Sequence, residues 1–188
     1  MPRGPDDHGA ALMWRRTLLL GALLGTPAAA HPAGSDLLRD LLRQDLPSRT
    51  VTVQVVAGRD GSNAGLNFTG SSGGQGTLLV PLGWTVDLQF RNAGTAPHSV
   101  IVLPFTSPLP AQPRAADAAF PGAVSRNVTR GVGRDAAAQT VRFQASRAGE
   151  YLIACGVPGH ALSGQYLKLS VRAGLKEADW DPAPHAHP

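Results

Sequence analysis

One loop near the C-terminal end constrains this chain more than any other stretch of its sequence. Apolar, strand-like runs at 151–154 and 166–171 flank it. The loop carries Cys155, then His160 five residues later, and Gln165 five residues after that. A thiolate, an imidazole and an amide oxygen are therefore displayed on one short connection between two predicted strands.

The N-terminal residues 1–30 have the pattern of a targeting segment. Arg15 and Arg16 precede an apolar run at 18–24, and alanines 28–30 supply a signal-peptidase site. We expect cleavage of this signal peptide and export of the mature chain to the periplasm or the extracytoplasmic face of the membrane. An uncleaved anchor is the alternative, although the run is shorter than the roughly 20 apolar residues that a spanning helix needs.

The lone cysteine gives the loop its chemistry. The 188-residue chain has one cysteine, so Cys155 can form no internal disulfide. In an exported protein, such a residue is a reactive thiol, an intermolecular link or a metal ligand. A buried, inert cysteine is the competing interpretation, but it explains neither His160 nor Gln165. We therefore interpret Cys155 as a metal ligand.

A complete metal site needs a second histidine from elsewhere in the chain. One cysteine sulfur, two histidine nitrogens and a weak axial ligand form the donor set of a blue-copper electron-transfer site. His98 is the obvious candidate, because it immediately precedes an apolar strand that could hold its ring. The sequence thus predicts one copper ion held by His98, Cys155, His160 and Gln165.

The composition is that of a globular protein with many turns. Hydrophobic residues make up 43% and charged residues 16%, and there are 22 glycines and 16 prolines. The formal net charge is only +4, and no basic run is interleaved with aromatic residues. The sequence therefore gives no support for nucleic-acid binding.

Short apolar runs with a period of two dominate the rest of the chain. They predict strands at 50–56, 66–69, 77–80, 85–92, 99–103, 139–145, 149–155 and 166–171. Leucines at helical spacing predict a short N-terminal helix at 36–44, and the long connection after the fifth strand is expected to hold a helical turn at 112–119. About eight short strands with turns between them predict an all-β Greek-key sandwich or barrel.

Four segments follow from this pattern. We predict a signal peptide at 1–30, a helical lead-in at 31–49, one β domain at 50–173 and a flexible C-terminal tail at 174–188.

Several of these stretches together resemble the cupredoxins, and most closely the sulfocyanin family of small blue copper proteins. The resemblance is carried by 66–70, 77–86, 96–99, 119–123, 148–152 and the cysteine–histidine loop with its Pro158-Gly159 pair. It covers roughly residues 50–173 and implies a cupredoxin-like fold. It also implies copper ligation by His98, Cys155 and His160.

The sequence departs from the sulfocyanin pattern at one ligand. The family has a methionine five residues after the second histidine, where this chain has Gln165. Stellacyanins, which are related copper proteins, also use an axial glutamine, so the resemblance still implies a copper site. We expect the substitution to change the redox potential rather than the ligand set.

Three functions are compatible with these sequence features. The favoured one is an exported carrier of single electrons rather than an enzyme. A copper storage or delivery protein is the second, supported by His185 and His187 near the C-terminus. The third is an oxidative enzyme that binds copper through a mature N-terminal His31, but it leaves Cys155 and Gln165 unexplained.

The cysteine–histidine loop also predicts where partners bind. We expect His160 to lie near the surface, within an apolar rim that includes Pro158, Ala161 and Leu162. Such a rim suits weak docking of redox protein partners. The protein itself is expected to be a monomer.

Overall fold

Two β-sheets face each other in the computed structural model, which describes residues 38–181. Within that range the strands are β1 (Leu42–Asp45), β2 (Thr50–Ala57), β3 (Thr77–Pro81), β4 (Thr85–Asn92), β5 (Ile101–Pro104), β6 (Gln139–Gln144), β7 (Gly149–Ala154), β8 (Tyr166–Arg172) and β9 (Asp179–Asp181). One sheet has the order β1-β2-β4-β6, and the other has the order β5-β7-β8-β3-β9. The predicted all-β sandwich is confirmed.

Alternation of apolar and polar residues places the core between the two sheets. In β2, Val51, Val53 and Val55 are fully buried, whereas the intervening Thr52 and Gln54 are more exposed. Strands β4 and β6 contribute further residues to the same core, and β3, β7 and β8 contribute from the opposite sheet. Because side chains alternate between the two sides of a strand, the apolar residues of each sheet all lie on the face that meets the other sheet.

Aromatic packing anchors the long connection between β5 and β6. The ring of Phe120 stacks on Phe143 with centroids 5.2 Å apart and lies 4.7 Å from the ring of Tyr151. The Arg147 guanidinium lies over the Phe120 ring, 6.0 Å from its centroid, and donates to the carbonyl of Ala119 at 2.8 Å. The connection is therefore tied to both sheets. The helical turn predicted at 112–119 is a 3-10 turn at Ala115–Asp117.

Three connections meet at one end of the sandwich. β2 and β4 run parallel and end together, with Ala57 opposite Asn92. β7 ends and β8 begins at the same end, where Ala154 pairs with Tyr166. The connections 58–76, 93–100 and 155–165 leave from these strand ends, and the last two carry all four predicted ligands.

The N-terminal prediction is partly wrong. The described part of the predicted helix is helical only over 38–40, and the next residues form β1, which pairs antiparallel with β2. Leu38 is buried and Leu42 packs against the core, so the leucines serve a helical turn and an edge strand in succession. Pairing with the open edge of β2 outweighed the helical spacing.

Two further predictions need correction. The predicted strand at 66–69 is a tight loop with isolated bridges only, because Thr69 and Gly70 have positive φ angles. The tail begins later than residue 174, since β9 pairs with β3 and Trp180 is 1% exposed.

The remaining segment predictions concern residues 1–37 and 182–188, which lie outside the described residues. These include the signal peptide, His31, His185 and His187. Between residues 38 and 181, no helix is both long enough and apolar enough to cross a membrane. For residues 1–37 and 182–188, the segment assignment stays a prediction.

Trp180→Ala should destabilise the protein, because it removes a large, fully packed side chain from the last strand. We expect a loss of about 3–5 kcal/mol in the free energy of unfolding. Urea unfolding in the presence of a metal chelator measures it. Lys176→Ala, an exposed neighbour, is the control and should stay within about 0.5 kcal/mol of wild type. Equal effects of the two substitutions would show that β9 does not stabilise the sandwich.

Candidate metal centre

Three predicted ligands lie together at the loop end of the sandwich. The ligand atoms of His98, Cys155 and His160 are all within 4.8 Å of one another. Cys155 Sγ lies 3.6 Å from His160 Nδ1, and the two imidazole rings are tilted by 58° with centroids 5.2 Å apart. A sulfur and two nitrogens therefore face one small volume.

Gln165 brings a fourth polar atom to the same place. Its Oε1 lies 3.0 Å from His98 Nδ1 and 3.2 Å from His160 Nδ1. Its Nε2 donates to the carbonyl of Asn67 at 3.1 Å. The Asn67 carbonyl can only accept a hydrogen bond, so the NH₂ group of Gln165 must face it. The amide oxygen of Gln165 is therefore the atom that faces the histidines. The structure thus brings all four predicted side chains together.

Main-chain hydrogen bonds close the loop that carries three of them. The N–H of Cys155 donates to the carbonyl of Gln165 at 3.0 Å, and the N–H of Gln165 donates to the carbonyl of His160 at 2.9 Å. Gly159 has a φ of 79°, so it turns the chain where a side chain is disfavoured, and its N–H donates to Ala111. The three side chains are positioned by this backbone pairing.

His98 is held by a second loop. Its main chain exchanges hydrogen bonds with Val132 at 3.1 and 2.7 Å. The buried Asn92 donates to the carbonyls of Val132 and Ala96, both at 2.8 Å, which ties this loop to the end of β4. A Cβ atom added to Gly94 would lie 3.1 Å from His98 Nε2, so the absence of a side chain there leaves room for the ring.

Ser99 supports the thiol, and sequence reasoning did not identify it. Ser99 Oγ lies 3.9 Å from Cys155 Sγ, donates to the carbonyl of Val128 at 2.6 Å and accepts from the N–H of Gly156 at 3.0 Å. Its place directly after His98 was the available signal, but a serine at the start of a strand is common. Asn67 was missed for a similar reason, since it falls within a predicted strand.

Burial sets the electrostatics of the site. His98 is 1% exposed, Cys155 and Gln165 are 0% exposed, and His160 is half-buried. Desolvation lowers the pKa of His98, with a smaller contribution from His160, and it also lowers the pKa of His160. Desolvation raises the pKa of the Cys155 thiol, although hydrogen bonds from Ser99 and Val157 oppose that rise. The imidazoles are therefore neutral at pH 7, and a metal cation would replace the thiol proton.

The donor set suits a soft or borderline metal ion. Thiolate and imidazole ligands select copper, zinc and iron, whereas a site for magnesium or calcium is built from oxygen atoms. Two imidazoles and one thiolate with a weak fourth donor are the set that blue-copper sites use. The residues present therefore fit copper.

Comparison with known proteins identifies a matching family and a related protein. A family model described as the sulfocyanin (SoxE) domain matches residues 40–177. A sulfocyanin of Sulfolobus acidocaldarius is 31% identical over 127 residues, which is 65% of this chain and 63% of that protein. The aligned part of this chain thus spans less than two thirds of that relative's length.

Solved structures give a looser likeness. A reduced rusticyanin is 23% identical with a TM-score of 0.48, and the match covers 73% of this chain and 93% of that one. An auracyanin from Roseiflexus castenholzii is 22% identical with a TM-score of 0.44, covering 64% of this chain and 96% of that one. The family assignment therefore rests on the sequence match.

Gly156→Ala should disturb the thiol support, because the added methyl would collide with Val128 Cγ2 and lie 3.2 Å from Ser99 Oγ. We expect a loss of about 1–3 kcal/mol in the free energy of unfolding. Chemical unfolding of the metal-free protein measures it. Gly133→Ala is the matched control, since an added Cβ meets no atom within 4 Å there. A stability of Gly156→Ala equal to that of the control would contradict the tight packing described.

Proposed function

The chain belongs to the sulfocyanin family, and we propose that it is an exported blue copper protein that carries single electrons between redox partners. One copper ion would be held by His98, Cys155, His160 and Gln165. The observation that supports this most strongly is the convergence of their Nδ1, Sγ and Oε1 atoms on one buried point. Export is supported by the targeting pattern of residues 1–30.

The protein's part in electron transfer is to hold the ligands in fixed positions. Copper bound there supplies a one-electron couple between Cu(II) and Cu(I). Thiolate and imidazole donors suit both oxidation states. The backbone pairing of Cys155 with Gln165, and of His98 with Val132, fixes these donors through main-chain hydrogen bonds. A preformed site needs little rearrangement when the charge changes, which favours fast transfer.

Gln165 is proposed as the axial ligand. An amide oxygen is a harder donor than the thioether sulfur of methionine, so it favours Cu(II) over the softer Cu(I). The reduction potential should therefore lie below that of methionine-ligated members of the family.

Electrons are proposed to enter and leave through the edge of His160. His160 is half-buried, whereas His98 is almost completely enclosed. Leu162 is 54% exposed and Pro158 is exposed beside it, which gives the edge an apolar rim. A small apolar contact of this kind suits partners that bind weakly and separate quickly.

Storage or delivery of copper is less well supported by the site. His98, Cys155 and Gln165 are at most 1% exposed, so release of an ion would require the two loops to open. A delivery protein needs easy exchange of its cargo. An oxidative enzyme would not use the buried thiol at all.

Cys155→Ser should abolish the intense colour of the copper-loaded protein, because the charge-transfer band in the visible spectrum needs the thiolate. Absorption spectroscopy after addition of one equivalent of Cu(II) measures this. Ser163→Ala, an exposed change in the same loop, is the control and should keep the band. Persistence of the band in Cys155→Ser, with circular dichroism showing a folded protein, would refute this ligand assignment.

Leu162→Lys should leave the visible spectrum unchanged but slow electron self-exchange between oxidised and reduced copies. Two copies meeting through this rim would bring two like charges together. We expect a decrease of about tenfold at low salt, corresponding to about 1.4 kcal/mol. Nuclear magnetic resonance line widths in mixtures of the two forms measure the rate.

Leu82→Lys is the matched control for this test. Leu82 is 42% exposed but lies in the turn between β3 and β4, at the end of the sandwich away from the candidate site. It should leave the rate unchanged. If both variants exchange electrons at the same rate, the rim around His160 is not the docking surface.

A further inference from the structure

The loop after β2 contacts the candidate site although it supplies none of the predicted ligands. Gln165 Nε2 donates to the main-chain carbonyl of Asn67 at 3.1 Å. Asn67 and Gln165 are both 0% exposed, so bulk water does not compete for this hydrogen bond. This contact decides which end of the amide faces the two histidines.

The Asn67 carbonyl is itself fixed. It accepts a second hydrogen bond, from the N–H of Gly58 at 3.1 Å, directly after the end of β2. Both lone pairs of this oxygen are therefore used. Gly58 in turn packs against Gly94 in the loop that carries His98, since an added Cβ would lie 2.6 Å from the Gly94 Cα. The carbonyl is held relative to both ligand loops.

The Asn67 side chain determines the shape of this loop. Its Oδ1 accepts from the N–H groups of Arg59 at 3.2 Å and Gly70 at 3.1 Å. Its Nδ2 donates to the carbonyls of Asp60 at 3.0 Å and Ser62 at 2.9 Å. One buried amide thus satisfies four main-chain groups in a loop that has no regular strand pairing.

We propose that Asn67 is the positioning residue for the axial amide. Its side chain holds loop 58–70, its carbonyl binds Gln165 Nε2, and Oε1 is thereby turned towards His98 and His160. In the opposite orientation, Oε1 would face the Asn67 carbonyl oxygen, and the two acceptors would repel each other. The NH₂ group would then face the metal, to which it has no lone pair to donate. The effect on copper rests on the proposed function, whereas the orientation of the amide does not.

The first test uses the copper-free protein. Asn67→Ala should increase the hydrogen-exchange rate of the Gln165 side-chain amide roughly tenfold, because the loop loses the side-chain hydrogen bonds that hold the main-chain carbonyl of residue 67 against Gln165 Nε2. Nuclear magnetic resonance of ¹⁵N-labelled protein measures the rate. Asn92→Ala is the matched control, a buried asparagine that holds the His98 loop without touching Gln165. Unchanged exchange in Asn67→Ala would overturn the proposal.

The second test asks whether Asn67 acts on the potential through Gln165. Asn67→Ala should raise the potential of the copper-loaded protein, because the oxygen donor is no longer held. A tenfold change in the relative affinity for the two oxidation states corresponds to about 59 mV for one electron. In a Gln165→Met background, whose thioether cannot donate to Asn67, the same substitution should have no effect.

The double-mutant comparison separates positioning from general loosening. Any effect of Asn92→Ala should be the same in both backgrounds. An Asn67→Ala shift that is equally large with Gln165 and with methionine would overturn the proposal. If Asn67→Ala does not fold, Asn67→Ser serves instead, because a hydroxyl keeps a smaller donor and acceptor at this position and adds no buried charge.

Failure of the proposed function would be visible separately. A wild-type protein that takes up copper without the thiolate band would contradict the blue-copper assignment. The amide exchange of Gln165, measured without copper, would still decide whether Asn67 orients it.

Discussion

The hydrogen bond between the main chains of Cys155 and Gln165 is the interaction on which the candidate site depends. It continues the pairing of β7 and β8 by one step beyond Ala154 and Tyr166. A sulfur and an amide oxygen are thereby brought to the same side of one hairpin, with His160 in the turn between them. The cross-strand geometry of the sheet, rather than contact between the side chains, sets their separation.

Two buried asparagines extend this order to the neighbouring loops. Asn92 ties the His98 loop to the end of β4, and Asn67 shapes the loop that contacts Gln165. Burial of a polar side chain is costly unless its hydrogen bonds are made, and both residues make several with main-chain groups. Each loop therefore has one well-satisfied arrangement, which keeps the candidate ligands in place although they lie outside the strands.

Local patterns in the sequence were sufficient to predict the core strands and to pick out the four side chains that the structure brings together. Alternating valines predicted β2, and the spacing of Cys155, His160 and Gln165 predicted one loop. Contacts between distant segments could not be predicted in this way. β9 forms because Trp180 packs into a core most of whose members are far away in sequence. The leucine spacing near Leu38 is equally compatible with a helical turn followed by an edge strand.

We propose that one copper ion lies among His98 Nδ1, Cys155 Sγ, His160 Nδ1 and Gln165 Oε1. Anomalous X-ray diffraction at the copper absorption edge, on crystals of the protein loaded with one equivalent of copper, tests it most directly. We predict a single strong anomalous peak enclosed by these four atoms, with the Gln165 amide nitrogen still bonded to the Asn67 carbonyl. A principal peak at any other place, or a peak from which the Gln165 oxygen is turned away, would contradict it.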